Sequence, residues 1–308
     1  MSKSSSGKSR ISDRAREERR LGWKLAGPAF VIMVLVTFYP ILQAVYSSLF
    51  KHRLTDPGAQ KFVFLENYLI ILRDPLWWQA FGTTVFITVV TVVVELVLGF
   101  LIALAMAKII LGRGLLRTIV LIPYSIITVV SAFSWFYALA TDTGFVDPLL
   151  HSLSFGVFPK DFNWFGGFWT SMVPICVSEI WKTTPFMSLL LLAGLTQIDS
   201  AMEEAAIVDG ATWGERMRRV VLPNMKSAIM VALLFRTLDA FRIFDNIFIM
   251  TAGSHDTASL SLVAYNQTIS RTEVGLGSAV SVLLFLCVVI IAVIFVKGFR
   301  VDLAKGRR

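Results

Sequence analysis

Charge is scarce in this chain. Of 308 residues only 16% are Asp, Glu, Lys or Arg, against about 25% in ordinary soluble domains. A water-exposed surface of normal composition cannot be built from so few. Cysteine is rarer still. The two present, Cys176 and Cys287, both lie inside apolar runs, which argues against a disulfide framework and leaves a metal site unsupported. Three histidines occur, His52, His151 and His255, without metal-ligand spacing. A phosphate-binding loop is also missing. Gly7-Lys8-Ser9 looks like the end of one, but Ser2 stands where its first glycine belongs, and no apolar strand precedes it.

Apolar residues fill the space that charge leaves. They make up 56% of the chain, and mean hydropathy is +0.70. They gather in long runs at 25–50, 81–107, 118–140, 169–195, 227–250 and 278–296. Each run is long enough to cross about 30 Å of hydrocarbon at about 1.5 Å per residue. Trp23, Tyr39, Trp77, Trp78, Trp164 and Trp169 cluster near run ends, where an interfacial belt places aromatics. The pattern predicts an all-α integral membrane protein with about six spans. It divides into a tail 1–24, a transmembrane domain 25–296 and a tail 297–308. The first tail is too long and too charged for a signal-peptide n-region, and no small-x-small cleavage site follows the first run. A cytoplasmic tail and a retained anchor are expected.

The net charge is +8, yet the basic residues flank apolar runs instead of alternating with aromatics. They read as topology signals, not as a nucleic-acid surface. The two tails and the loops 108–117 and 196–226 carry 20 Lys and Arg, while the other three loops carry 6. The positive-inside rule then puts both termini in the cytoplasm of a multi-pass protein of the cell membrane. Loop 141–168 becomes external. It holds Asp142, Asp147 and Asp161 against a single Lys160. Such a loop suits an extracytoplasmic partner, and a plain connector would look the same.

The most informative segment is the cytoplasmic loop 198–223, IDSAMEEAAIVDGATWGERMRRVVLP. Ser200 with Glu203, and Thr212 with Glu215, have capping-box spacing for two helix starts. Gly210 falls where the first helix must turn through a left-handed residue. Pro223 marks the end of the second helix or the entry to the next span. Ala205 and Ala206 leave one surface smooth enough for another helix or a groove to approach. By these features alone the segment could be a linker.

Its spacing is more specific. Glu204-Ala205-Ala206, Asp209-Gly210, then nine residues and Val220-x-Leu222-Pro223 resembles the EAA loop of ATP-binding-cassette (ABC) importer permeases. Val220 replaces the usual Ile, and Ser227 stands where a further proline is common. A second stretch, Phe241 to Gly253 followed by Tyr265, resembles the fifth-span signature of carbohydrate permeases in that superfamily. Ala252-Gly253-Ser254 replaces the common Thr-distal Gly-Gly-Pro. Val120 to Tyr124, Trp181 to Leu195 and Phe235 to Ile247 look like the trehalose importers of actinobacteria, within the maltose/trehalose type.

The resemblance covers essentially all the spans. It implies a type I importer permease fold and a coupling role for Glu204, Ala205, Ala206, Asp209 and Gly210. It implies several partners: a second homologous permease, two copies of an ATP-binding subunit, an extracytoplasmic sugar-binding protein and membrane lipid. ATP and Mg would sit on the partner ATPase, with no cofactor in this chain. Positions matching the family's sugar contacts fall on Lys182, Thr183 and Phe186, and near Asp239 and Arg242.

Charge inside the spans points to the same places, because ionisable residues there need partners or a watery cavity. Arg236, Asp239, Arg242 and Asp245 are three apart, so neighbours can meet as ion pairs. Three steps on a helix drift by about −60°, which leaves Arg236 and Asp245 on nearly opposite faces. The four cannot all face one cavity, and some must be structural. Glu179 and Lys182 share span four with Pro185, which frees backbone carbonyls. Trp181 and Phe186 could offer a sugar an aromatic face. Glu95 is alone in span two and needs another helix or a lumen.

Two other classes compete. An ion-coupled secondary transporter could use the span-five charges as a proton relay, but leaves the EAA-like loop unexplained. A membrane-embedded enzyme would need a Ser–His pair, a paired His/Asp cluster or a metal motif, and none is evident.

Overall fold

The computed structural model describes residues 13–109 and 112–298. Of the two tails, 1–12 and 299–308 lie outside the described residues. The part of the first tail that is described is already helical: α1 runs Asp13–Ser48 and merges tail and first span.

A short hairpin follows, β1 (Phe50–Arg53) against β2 (Asp56–Phe62), antiparallel. Then comes α2 (Glu66–Arg73). The second span is α3 (Pro75–Lys108), which starts earlier than its apolar run. Asp74 explains the early start: its side chain accepts the Leu76 N–H at 2.9 Å, and Pro75 fits the first helical turn. The fourth span is α8 (Phe168–Leu195), and the last is α14 (Val274–Gly298). Residues 20–48 of α1, with α3, α8 and α14, are long and apolar enough to cross a membrane.

The other two expected spans are broken. Span three is α4 (Arg113–Val120), α5 (Ile122–Ser125) and α6 (Thr128–Ala138). Pro123 has no N–H for the preceding turn, and Ile126 and Ile127 are extended. Between α6 and α8 lies α7 (Val146–Leu153). Buried Asp147 fixes that connection by accepting from the Phe162 N–H at 3.0 Å and the Trp164 Nε1–H at 2.7 Å.

On the other side of α8 come α9 (Ser200–Val208) and α10 (Trp213–Arg216). A π-helical turn, Met217–Val221, leads directly into α11 (Leu222–Ala240). Of the two readings of Pro223 the entry to the next span holds: it sits in the first turn of α11 and does not end the second helix. The wider turn lets the Leu222 N–H reach back to the Met217 carbonyl, so the helix continues past the missing proline donor. Span five breaks at 241–244 and resumes as α12 (Asp245–Met250). The freed Ile243 carbonyl accepts from Ser259 Oγ at 2.8 Å, so the irregular backbone there is satisfied by protein, as membrane depth demands. The chain finishes through α13 (Leu260–Tyr265), a second π turn Asn266–Ser270, and α14.

Helices α3 and α8 form the centre. Small residues permit their approach: a Cβ at Gly99 would sit 2.9 Å from Met187 Cγ. Two apolar clusters result. One contains Ile87, Ile175 and Ile247, the other Val92, Met187 and Met225. Along α8, Glu179, Lys182 and Thr183 fall between Cys176 of the first cluster and Met187 of the second, forming a polar layer.

Candidate functional site

The face of α8 that carries Glu179, Lys182, Thr183 and Phe186 repeats at three- and four-residue steps, so one side of the helix presents all four. Opposite it lie the end of α11 and the break in span five. A cavity of about 410 Å³ opens between them, lined by Lys182, Thr183, Asp239 and Arg242 together with Tyr124, Thr128, Glu179, Asp245 and Asn246. Four of the five residues matched to sugar contacts thus line one cavity, two from each side. The fifth, Phe186, is not in the lining. Its ring stacks on Tyr124 at 5.1 Å and 12°, so it backs the aromatic surface that lines the cavity.

Lys182 and Glu179 do not pair, although they are one turn apart. Lys182 is 6% exposed, and its ammonium lies 5.5 Å from the Tyr124 ring centroid, a cation–π contact. Glu179 turns the other way. Its carboxylate accepts from Arg236 Nη2 at 3.3 Å and from Asn246 Nδ2 at 2.9 Å. Helices α11 and α12, the two halves of span five, therefore hang on one carboxylate of α8.

Arg236 is 1% exposed and Glu95 is fully buried. They form a fork: Arg236 Nε donates to Glu95 Oε2 at 2.6 Å, and Nη2 to Oε1 at 2.9 Å. Glu95 is thus not alone. Arg236 Nη1 also donates to Asp239 Oδ2 at 2.5 Å. Asp239 and Arg242 stand 3.9 Å apart as a second, exposed pair. Asp245 makes no ion pair among the described residues. It occupies the first turn of α12, where a negative charge is favourable. The structural share of the span-five charges is therefore Arg236. The hydroxyl of Thr183 is engaged inside this network. It lies 2.7 Å from Glu95 Oε1 and 2.6 Å from the Glu179 carbonyl, and accepts from Arg236 Nη2 at 3.1 Å. Its single proton can serve only one acceptor at a time.

The 198–223 loop folds as two helices about a tight turn. Gly210 has φ +79°. Its N–H reaches the Ile207 carbonyl at 3.0 Å, and the Ala211 N–H reaches Ala206 at 2.9 Å, the pair of bonds of a Schellman stop. Of the two expected capping boxes, Thr212–Glu215 forms, with the Thr212 N–H 2.9 Å from Glu215 Oε2. That bond and the Thr212 hydroxyl hold the Glu215 carboxyl below its ordinary range. The cap is complete above the ordinary carboxylate range and is lost as pH falls through the depressed value. The Ser200–Glu203 box does not form. Asp199 caps one residue earlier, accepting from the Ala201 N–H at 3.0 Å, because its charged acceptor suits the positive helix end better than a hydroxyl. Glu204, Ala205, Asp209 and Gly210 are exposed and Ala206 is half-buried. Beside them Val208 is 86% exposed and Trp213 56%.

The family described as "binding-protein-dependent transport system inner membrane component" matches residues 95–301. The chain belongs to this family. Similar proteins span it almost end to end. The trehalose transport system permease protein SugA of Mycobacterium tuberculosis is 49% identical, over 92% of this chain and 89% of its own length. The trehalose/maltose transport system permease protein MalF of Thermococcus litoralis is 36% identical, over 92% and 95%. A crystal structure of a bacterial ABC transporter involved in import of the acidic polysaccharide alginate shares the fold, at TM-score 0.77 and 19% identity over 94% and 100% of the two chains. The permease is thus a transport subunit with the type I importer fold. It is not itself an enzyme.

Sequence reasoning missed Tyr124 and Asn246 as part of the cavity lining. Tyr124 adjoins Pro123 in the broken third span, and a proline beside an aromatic within an apolar run is the signal that could have marked it. Asn246 carries no charge and stood out in no pattern.

Proposed function

We propose that this permease subunit imports a small sugar, and specifically a disaccharide such as trehalose, by alternating access. The observation that carries the reading is the cavity between α8 and the broken fifth span. It combines a hydrogen-bonding wall with an aromatic face, and its volume of about 410 Å³ lies in the range of about 300–1,000 Å³ usual for small-ligand sites. Lys182 and Arg242 can donate to sugar hydroxyls, and Asp239 can accept from them. Tyr124, backed by Phe186, offers the ring's C–H face a flat partner. The names of the trehalose and trehalose/maltose relatives support the sugar class.

The complex would contain a second permease, two ATP-binding subunits that hold ATP and Mg, and an extracytoplasmic binding protein, all in lipid. The loop with Glu204, Ala205, Ala206, Asp209 and Gly210 would dock on the ATPase. Exposed Val208 and Trp213 give that contact an apolar surface. Both termini would be cytoplasmic. A single cysteine at Phe155, which is 96% exposed, is a better external probe than one at Asp147, which is buried. It should react with impermeant reagent in sealed cells, whereas the tails should not.

The deciding experiment is uptake of a panel of labelled disaccharides by the reconstituted complex, with and without ATP. ATP-dependent trehalose uptake is expected. Uptake that follows an ion gradient without ATP would replace the reading with secondary transport. ATP-dependent uptake of a different sugar would keep the mechanism and change the substrate.

A further inference from the structure

Arg236 does not line the cavity, yet three of its four side-chain partners, Glu179, Thr183 and Asp239, do. The guanidinium is 1% exposed. From behind, Glu95 of α3 grips Nε and Nη2 at 2.6 and 2.9 Å. Toward the cavity, Nη1 holds Asp239 at 2.5 Å and Nη2 holds Glu179 at 3.3 Å. We propose that Arg236, anchored by Glu95, is the positioning residue of the substrate cavity: it presents the Asp239 carboxylate to the sugar at a fixed place and angle. This rests on the sugar-cavity reading above.

The argument is geometric. Asp239 is exposed, with 60% of its side chain open to solvent. A carboxylate there would sample several rotamers if left alone, and ordering it on each binding event would weaken affinity. One oxygen, Oδ2, is tied to Arg236, while Oδ1 faces Arg242 at a looser 3.9 Å. Oδ1 is therefore the oxygen free to accept from a ligand. A planar fork can grip Glu95 with two parallel bonds while its other donors hold Asp239 and Glu179, and the point charge of lysine cannot reproduce that bidentate grip. Glu95 comes from a third helix and never meets the cavity. It fixes where the fork points. The fork in turn links α3, α8 and α11 at the height of the cavity, so the wall cannot rearrange without one of these bonds letting go.

The test uses the complete complex and reads three quantities: amount of assembled complex, half-saturating sugar concentration and maximal rate. Asp239→Asn, Glu95→Gln and the double variant are compared with wild type, using trehalose. Glu95→Gln should raise the half-saturating concentration by about tenfold, as expected for a lost charge-assisted hydrogen bond, with a smaller change in maximal rate. Asp239→Asn should do the same. The double variant should be no worse than Asp239→Asn alone, because the anchor then has no carboxylate to orient. Arg236→Lys should resemble Glu95→Gln. Should Glu95→Gln not assemble, Glu95→Asp, which keeps the charge but withdraws it by one methylene, takes its place with the same expected result. If Asp239→Asn weakens binding but the Glu95 variant does not, or if the two effects simply multiply, positioning through Arg236 is overturned. If Asp239→Asn leaves the half-saturating concentration unchanged, the cavity reading itself fails, and this proposal with it.

Discussion

Helix α14 is more apolar than α8 and far less buried. Over its most apolar 18 residues α14 has a mean hydropathy of 3.4 with 11% of residues buried, whereas α8 reaches only 1.3 with 67% buried. A water-soluble protein would show the opposite order. In a bilayer the apolar solvent is outside, so the helix that carries Glu179, Lys182, Thr183 and Ser188 must turn them inward. The buried residues of α14 are small: Gly275, Gly277, Ala279 and Val280. Polarity, not hydropathy, marks the interior here.

The sharpest way to break that contrast is to leave the interior charges unpaired. Arg236→Leu strands Glu95 and Glu179 in the core, a loss of about 3–5 kcal/mol, and little assembled complex should survive detergent extraction. Normal yield would mean that the charges are solvated in the membrane. Next in size is the α3–α8 contact. Gly99→Leu drives a side chain into Met187 and should lower stability by about 1–3 kcal/mol, visible as a lower thermal midpoint of the purified complex. An unchanged midpoint would show that the two helices can part freely.

Gly210→Val forces a β-branched residue into φ +79°, at roughly 1–2 kcal/mol of local strain. Insertion should be normal, while sugar-stimulated ATPase activity falls. Full stimulation would detach the loop from coupling. The smallest effect is expected on α14. Ile290 is 57% exposed, and Ile290→Ala should change stability by no more than about 0.5 kcal/mol. A large loss would reveal that a protein neighbour, not lipid, covers that face.

Four of the spans and the two-helix fold of loop 198–223 were legible because each rests on a local rule. Run length gives a span, and a fixed spacing of alanines, glycine and proline gives the loop. The breaks in spans three and five both lie inside runs whose hydropathy is continuous. Pro123 is a local mark of the first, but the second was not legible, because what permits it is tertiary: Ser259 supplies a hydroxyl to the Ile243 carbonyl from 16 residues away. The cavity was half legible. Lys182, Asp239 and Arg242 announced themselves as charges in apolar runs. The partner of Glu95 did not, since Arg236 lies 141 residues further along and no periodicity links them. The alternative pairing of Glu179 with Lys182 satisfied every local rule and still lost, because Arg236 and Asn246 together offer that carboxylate a better-directed set of donors.

The π turn at Met217–Val221 has a mechanical consequence. It keeps the backbone hydrogen-bonded through Pro223, so Trp213 to Ala240 is one unbroken rod about 40 Å long. One end belongs to the 198–223 loop, and the other bears Arg236 and Asp239. A stiff rod delivers a push or a twist without a relay between. A stroke at Trp213 would reach the cavity wall as the same stroke, and the rod's end-to-end distance should stay constant through the transport cycle. A spin-label distance between its ends that shortened in one state would show that the rod bends at its wide turn.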